Sequence, residues 1–390
     1  MMRPCLGLEG VADTVWDVII LGAGPAGTIA AHQLATSGAR TLLVDKRLFP
    51  RGKVCGACLN ASALGVLKAV GLDGHLCELG GIRLNGLELR FAGRSARLNL
   101  PGGIALSRER LDVALVDLAV ASGAVFLPQT EGLVGPIQAD ARRVALVQVD
   151  RAVAARARVV LVATGLGQVR FEGESPVKSR STARSRIGAG CLVDNFPDVY
   201  HQGTVFMTVG RNGYVGLVRV EDGQLNVAAA FNKYHVKESG SPGAAANRIL
   251  LEAGLAPVPA LDNAAWRGTA SLTRQTRPIA GERFFVLGDA AGYIEPFTGE
   301  GMAWAMASGQ AIAPLVWRGI KCWEPSLSRT WVLLHRRLVT RRQYLCRALA
   351  TLLHHPGLAH AAFELVARVP GVARLIIERV NASAALPQTS

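Results

Sequence analysis

Hydrophobic and polar positions change rhythm several times along this chain, and each rhythm predicts a different element. Residues 18–21 form an unbroken apolar run, short enough for a strand buried on both faces. Residues 27–37 can be a helix, with Pro25 suited to its first turn, and a second apolar run, 41–44, ends at Asp45. Strand, helix and strand predict a parallel βαβ unit. Asn60 stands where it can cap a helix running to about Val70, with Gly71 as its stop. Residues 82–99 alternate and carry turn signals, which predicts short antiparallel strands. Ser107 can cap a helix to about Ser122, with Glu109 and Asp112 in its first turn. Further strands are expected at 124–127, 143–149 and 158–163, the last returning to the first sheet.

The pattern then changes. Strand-like runs at 188–193, 203–209, 213–218 and 225–231 are separated by Asn, Gly and Asp turns, with a helix near 243–253. This predicts an antiparallel sheet inserted into the first domain. Residues 284–287 read as a strand again, ended by Gly288-Asp289, and 302–317 as an apolar helix. No charge falls between Glu300 and Arg318, but a membrane span needs about 20 apolar residues, so a buried helix is expected. The tail, 326–382, is helical by periodicity, with Leu327, Trp331, Leu334, Leu338, Leu345, Leu349 and Leu352 on one face. The expected division is 1–167 and 271–318 for a nucleotide domain, 168–270 for an inserted substrate sheet, and 319–390 for a helical tail.

Composition narrows the class. Half of the 390 residues are hydrophobic, which allows a large core and argues against disorder. Seven cysteines in a chain this long do not look like a disulfide framework, and the first 16 residues hold no long apolar segment. A reducing cytoplasm is therefore the expected location. The net charge of +14 fits an anionic substrate, a membrane surface or a basic proteome. Nucleic acid is not expected, because neither zinc-finger spacing nor an aromatic-rich basic sheet accompanies the charge. Between Ser326 and Phe363 stand six arginines and no acid. That stretch reads either as a solvated basic face or as an interfacial helix making peripheral contact with anionic lipid at the inner face of a membrane.

The chemistry concentrates in the first βαβ unit. Gly22, Gly24 and Gly27 have G-x-G-x-x-G spacing after a strand. Gly22 suits the tight turn, Gly24 lets backbone approach a pyrophosphate, and Gly27 lets helix and strand pack closely. The helix N-terminus, at Pro25 and Ala26, offers free N–H groups to phosphate. Asp45, 18 residues past Gly27, sits where a carboxylate meets a ribose 2′-hydroxyl, which favours FAD or NAD(H) over NADP(H). Arg47, Arg51 and Lys53 crowd the next loop. Cys55 and Cys58 form a C-x-x-C, but no second pair stands at zinc-site distance, so Cys58 is expected to pack under the helix and Cys55 is left open. His354, His355 and His360 flank a Pro-Gly break and read as surface residues.

Three pieces stand together: the glycine motif with Asp45, the strand end Ala163-Thr164-Gly165, and Gly288-Asp289-Ala290-Ala291-Gly292. Their order and separation resemble the FAD-dependent oxidoreductases with the para-hydroxybenzoate hydroxylase fold, over residues 15–318. The resemblance implies an α/β chain: a Rossmann-like FAD-binding domain, an inserted antiparallel-sheet substrate domain and a C-terminal helical tail. It implies that Asp289 binds the ribityl chain, and that Lys46, Arg108 and Gly165 stand by the cofactor. It also places Gly299, Gly301 and Met302, at a loop and helix start, beside the flavin ring. Lys53-Val54-Cys55-Gly56 resembles the geranylgeranyl reductase branch, whose signature cysteine lies near flavin and substrate. Pro296-Phe297-Thr298-Gly299-Glu300-Gly301 suits that branch too. Those reductases often carry Tyr-x-Trp-x-Phe-Pro on the substrate sheet; here Tyr214 is kept, with Gly216, Val218 and Arg219 at the other places.

The expected reaction is therefore flavin reduction of an alkene in an apolar or lipid-like substrate, isoprenoid or polyketide-like. The alternatives are hydroxylation of an aromatic or polyketide substrate by a flavin monooxygenase, or a non-catalytic FAD-binding redox sensor. No second glycine motif is seen, so NAD(P)H or a ferredoxin-like carrier would visit transiently as electron donor. Cys55, Tyr214 and Glu300 are the candidates for proton donation or substrate positioning. Each has a plainer role too: loop cysteine, cavity-wall aromatic and helix cap.

Overall fold

The structure is a computed structural model that describes residues 7–183, 185–295 and 299–353, with positions 357, 362, 363 and 371. The parallel centre of its eight-stranded sheet runs in the order Phe284–Val286, Arg151–Val162, Val15–Leu21, Thr41–Val44, Val125–Leu127, with Ala280–Gly281, Ala141–Gln148 and Glu131–Gln138 added antiparallel. Side chains alternate between the two faces, as pleating requires. Val18, Ile20, Leu43, Val159 and Leu161 join the core under the nucleotide helix, Pro25–Thr36, and the long helix Gly301–Lys321. Ile19, Leu21, Leu42, Val44, Val160 and Val162 face the opposite core. Because both faces are covered, these strands read as continuous apolar runs rather than alternating ones. The expected caps are present: Asn60 accepts from the Ala63 N–H (3.0 Å), and Ser107 from the Arg110 N–H (3.2 Å).

A second sheet has the order Arg267–Ser271, Ile187–Val193, Leu225–Phe231, Gly213–Arg219, Thr204–Gly210, Gly86–Phe91, Arg94–Asn99. It draws its last two strands from well before residue 168, and Gly86–Phe91 pairs in parallel with Thr204–Gly210. One face packs on the helix Pro242–Glu252 through Phe206, Val215, Val227 and Ala229. The residues in between, Val205, Met207, Tyr214, Gly216, Ala228 and Ala230, line a cavity between the two sheets.

Among the described residues no helix is long and apolar enough to cross a membrane. The tail runs as Pro325–His335, a π turn at Arg336–Thr340, and Arg341–Leu353. Leu327, Trp331 and Leu338 are buried as the apolar face predicts, and Leu334 is half-buried. The wide turn adds a residue, so Val339 within it and Gln343 and Cys346 beyond it are buried. The side chains of Leu345, Leu349 and Leu352 lie outside the described residues, as do His354, His355, His360 and the 296–298 part of the loop.

His335 sits on this inner face, its ring centroid 5.5 Å from that of Trp331. Burial pushes its pKa down to about 4, against 6.5 in an unfolded chain. The unfolded state therefore binds the extra proton first as pH falls. The resulting stability is complete above about pH 6.5 and is lost towards pH 4, on the order of 3 kcal/mol. His335→Leu is expected to flatten the Tm-against-pH curve across that window. An unchanged slope in the variant would show that other groups cause the acid sensitivity.

Candidate active site

The site starts at the turn after the first strand. Gly22 has φ +110°, and a Cβ there would run into the carbonyl oxygen of Ala163. A Cβ on Gly27 would strike the Gly22 carbonyl, so this pair makes the tight crossing that the spacing predicts. Gly24 is the N-cap of Pro25–Thr36, with Pro25 as the first helical residue. A Cβ on Gly24 would meet only the Nη2 atoms of Arg51 and Arg108, each 3.9 Å away. The helix N-terminus thus faces open space flanked by two guanidiniums, a cradle for a diphosphate. Ala26 instead serves packing: Gly309 of the long helix crosses against its carbonyl, and Gly288 (φ +54°) lies against its methyl group.

Asp45 ties the turn together. Its carboxylate accepts from the Ala23 N–H and the Arg47 N–H, both 2.9 Å, with Arg51 Nη2 at 3.5 Å. It lines a cavity of about 230 Å³ together with Gly22, Gly24 and Lys46. That cavity shares Lys46, Arg51, Lys53 and Thr164 with a larger one of about 1080 Å³, which continues to Asp289, Gly299, Gly301 and Met302. The Thr164 hydroxyl is buried on both walls, with no hydrogen-bond partner among the described residues. Gly165 (φ +65°) passes Lys53 so closely that a Cβ would lie 2.8 Å from its Nζ.

Positive charge is held in place along the shared wall. Arg108 donates to both Asp112 oxygens, from Nε and Nη2, at 2.8 Å each. Arg51 Nη1 reaches the same carboxylate at 3.3 Å. Burial works against the Arg108 charge, but Asp112 and a hydrogen bond with Cys55 outweigh it, so its pKa is raised. Burial and Arg108 push the Lys53 pKa down, against the pull of Asp289. Burial likewise raises the Asp289 pKa, against Lys53 and Arg108. A dianion beside Arg51, Lys53 and Arg108 would relieve this crowding of like charges.

Of the three catalytic candidates, Cys55 and Tyr214 line the large cavity. Glu300 is buried elsewhere: its carboxylate accepts from Cys346 Sγ at 3.3 Å, and it makes no side-chain cap to its own helix. Cys58 Sγ donates to the Gly56 carbonyl (3.0 Å), and burial followed by the nearby Cys55 pushes its thiol up to about 12. It stays protonated, but it is only half-buried and lines the large cavity rather than packing under the helix; among the described residues no cluster could hold a metal.

The structure adds residues that spacing alone did not single out. Tyr293 lines the cavity, and burial, then Asp289 and Tyr214, hold its phenol protonated. Tyr214 is held protonated by burial and by Glu295, to which it hydrogen-bonds. Glu295 pairs with Arg186 at 2.7 Å, and both are nearly inaccessible. The sequence signal for Tyr293 was its place directly after Gly-Asp-Ala-Ala-Gly. Arg186 and Glu295 carried none.

Gly24's cradle, the unpaired Thr164 hydroxyl and the acid at Asp289 together fit FAD. Arg51, Lys53 and Arg108 would hold its phosphates, Asp289 its ribityl chain, and the helix start at Gly301 its ring. The comparisons agree. Residues 15–160 match the FAD binding domain family. Over 87% of this chain and 84% of the relative, the sequence is 25% identical to a menaquinone reductase of Mycobacterium tuberculosis. It is 27% identical to a digeranylgeranylglycerophospholipid reductase of Thermoplasma volcanium, over 76% of this chain and 77% of that one. A conditioned medium factor receptor 1 of Dictyostelium discoideum is 25% identical over 78% of this chain, which spans 63% of that protein's length. Among solved structures, p-nitrophenol 4-monooxygenase of Pseudomonas putida shares the fold, with TM-score 0.76 over 95% of this chain and 99% of that one, at 15% identity. The chain is an FAD-dependent oxidoreductase whose residues 15–160 match the FAD binding domain family and whose fold is shared with a solved flavin monooxygenase.

Proposed function

We propose that this oxidoreductase reduces a carbon–carbon double bond in an apolar, isoprenoid-like substrate. The observation that carries the reading is the cavity wall opposite the cofactor cradle. Leu87, Leu89, Leu98, Leu100, Val205 and Met207 form an uncharged surface there, suited to a hydrocarbon chain. The names of two relatives, a menaquinone reductase and a digeranylgeranylglycerophospholipid reductase, support the same chemistry.

Bound FAD supplies the electron pair, taken from NAD(P)H or a ferredoxin-like carrier. The chain's own groups would do the rest. The apolar wall orients the alkene and excludes water. Tyr214 and Tyr293 keep their protons at neutral pH and can deliver one at the cavity. Gly216 lines the cavity where related reductases carry Trp, and the Met207 side chain lies over it, its Cε 3.4 Å from where a Cβ would stand. Val218 is buried and Arg219 lies over the Phe196 ring (4.8 Å), so Met207 rather than either of them shapes the wall at this point.

The test is anaerobic turnover of the FAD-loaded enzyme with a geranylgeranyl lipid and each donor in turn, read by mass spectrometry. A gain of one H2 per double bond is expected. Absence of any gain, together with oxygen-dependent hydroxylation of an aromatic or polyketide substrate, would replace this reading with a monooxygenase. A flavin that no donor reduces would leave only a binding or sensing role.

A further inference from the structure

We propose that the outer face of the C-terminal helix, residues 325–353, docks the enzyme on an anionic lipid bilayer. The inference concerns a surface and stands independently of the reaction. The helix is two-faced. Leu327, Trp331, His335, Leu338, Val339, Gln343 and Cys346 are buried against the protein. The opposite side exposes Arg329, Arg336, Arg337 and Arg341. Among the described residues none of these four pairs with a carboxylate, and the sequence offers none nearby, with no Asp or Glu between Ser326 and Phe363. A solvated helix face normally mixes both signs.

The basic face is also apolar. Val332 is 44%, Leu333 58% and Tyr344 54% exposed. They are three of the eight exposed large hydrophobic residues among those described, gathered on one helix. Arginines flanking exposed Leu and Tyr are what a helix in the bilayer interface presents: apolar groups enter the acyl boundary while guanidiniums meet headgroup phosphates. A nucleic acid would use the arginines but gain nothing from Val332 and Leu333.

The π turn contributes to this face. Arg336 and Arg341 stand five apart, which would point them well away from each other on an α-helix. Across a π turn, whose hydrogen bonds run five residues apart, the two positions come close to alignment. The turn thus gathers the basic residues on one side. The inner side of the same helix touches the residue before the cavity-lining helix start, because Cys346 hydrogen-bonds Glu300 at 3.3 Å and Gly301 and Met302 line the cavity. A lipid-like substrate would therefore be met by an enzyme already held at the surface that carries it.

The test uses the full-length, FAD-loaded chain in vesicle flotation, with flavin absorbance as the check on folding. Phosphatidylglycerol–phosphatidylcholine vesicles are compared with phosphatidylcholine alone at low and high salt. The enzyme is expected to float only with the anionic vesicles, and less at high salt. Arg336→Gln, Arg337→Gln and Arg341→Gln together should weaken partitioning about 100-fold, at roughly fivefold per charge. Val332→Ser with Leu333→Ser should weaken it about tenfold. No flotation of the unaltered enzyme overturns the proposal. Equal flotation of the Val332/Leu333 variant also overturns it, because the face is then a general polyanion site that RNA could share. A readout free of folding effects comes from Leu333→Cys carrying an environment-sensitive dye, with Cys77 and Cys322 replaced by Ser. A blue shift with anionic vesicles is expected there and not from dye on Tyr234→Cys, which is exposed on the inserted domain. Equal shifts at both sites, or none at either, refute the docking face.

Discussion

Glu295→Leu is expected to remove about 3–5 kcal/mol of unfolding free energy, because it leaves the Arg186 guanidinium buried without its partner. The pair spans 2.7 Å between Nη1 and Oε1, with side chains 1% and 2% exposed. Glu295 also takes a hydrogen bond from Tyr214, and the Arg186 guanidinium lies 5.7 Å from the Tyr214 ring centroid. One carboxylate thus serves two groups, and Arg186 and Glu295 are nearly closed to water that could compensate. Replacing both charges, Arg186→Met with Glu295→Leu, should recover most of the loss, since an apolar pair of similar volume has no charge to desolvate. Urea unfolding of the single and double variants measures this. A single variant as stable as the double would mean that water or a rearranged side chain satisfies Arg186.

The second large effect separates two glycines only two residues apart. Gly22→Ala should abolish FAD retention and destabilise the chain. Its backbone has φ +110°, and the new methyl group would meet the carbonyl of Ala163, which directly follows a central strand and is held by its N–H to the Leu21 carbonyl at 2.8 Å. Gly24→Ala should leave the apoprotein as stable as before, within about 1 kcal/mol, because its methyl group finds only two arginine tips at 3.9 Å. It projects into the diphosphate cradle, however, and should raise the FAD Kd about 100-fold through lost backbone approach. Calorimetric titration with FAD and thermal unfolding of the apo forms distinguish the two. Tight FAD binding by Gly24→Ala would move the phosphates away from this turn.

These residues show why part of the molecule was legible in its sequence. The βαβ unit is written in local terms: apolar runs, glycine spacing and a terminal acid within thirty residues or so. Its geometry agrees with that reading down to the Gly22–Gly27 crossing. The inserted sheet was only half legible. Residues 86–99 alternate like strands, but their partner is Thr204–Gly210, and nothing local encodes a pairing that distant. Arg186 and Glu295 look like surface charges until the fold buries them against each other. Glu300 reads as a site acid from its motif, yet its partner is a cysteine 46 positions on. Tyr293 was within reach, as an aromatic following the Gly-Asp turn, but only cavity geometry separates it, together with Tyr214, from the other three tyrosines.

The π turn at Arg336–Thr340 has one more consequence. An extra residue in a helix offsets the phase of everything downstream by about 100°. Before the offset, the helix answers to the nucleotide sheet, where Trp331 Nε1 donates to the Val286 carbonyl at 3.1 Å. After it, the helix answers to the loop that carries Glu300. The two halves are consequently keyed to different neighbours. Substitutions in the first tune anchorage to the scaffold, and substitutions in the second tune the surroundings of the reaction, so the two properties can diverge separately along one continuous rod.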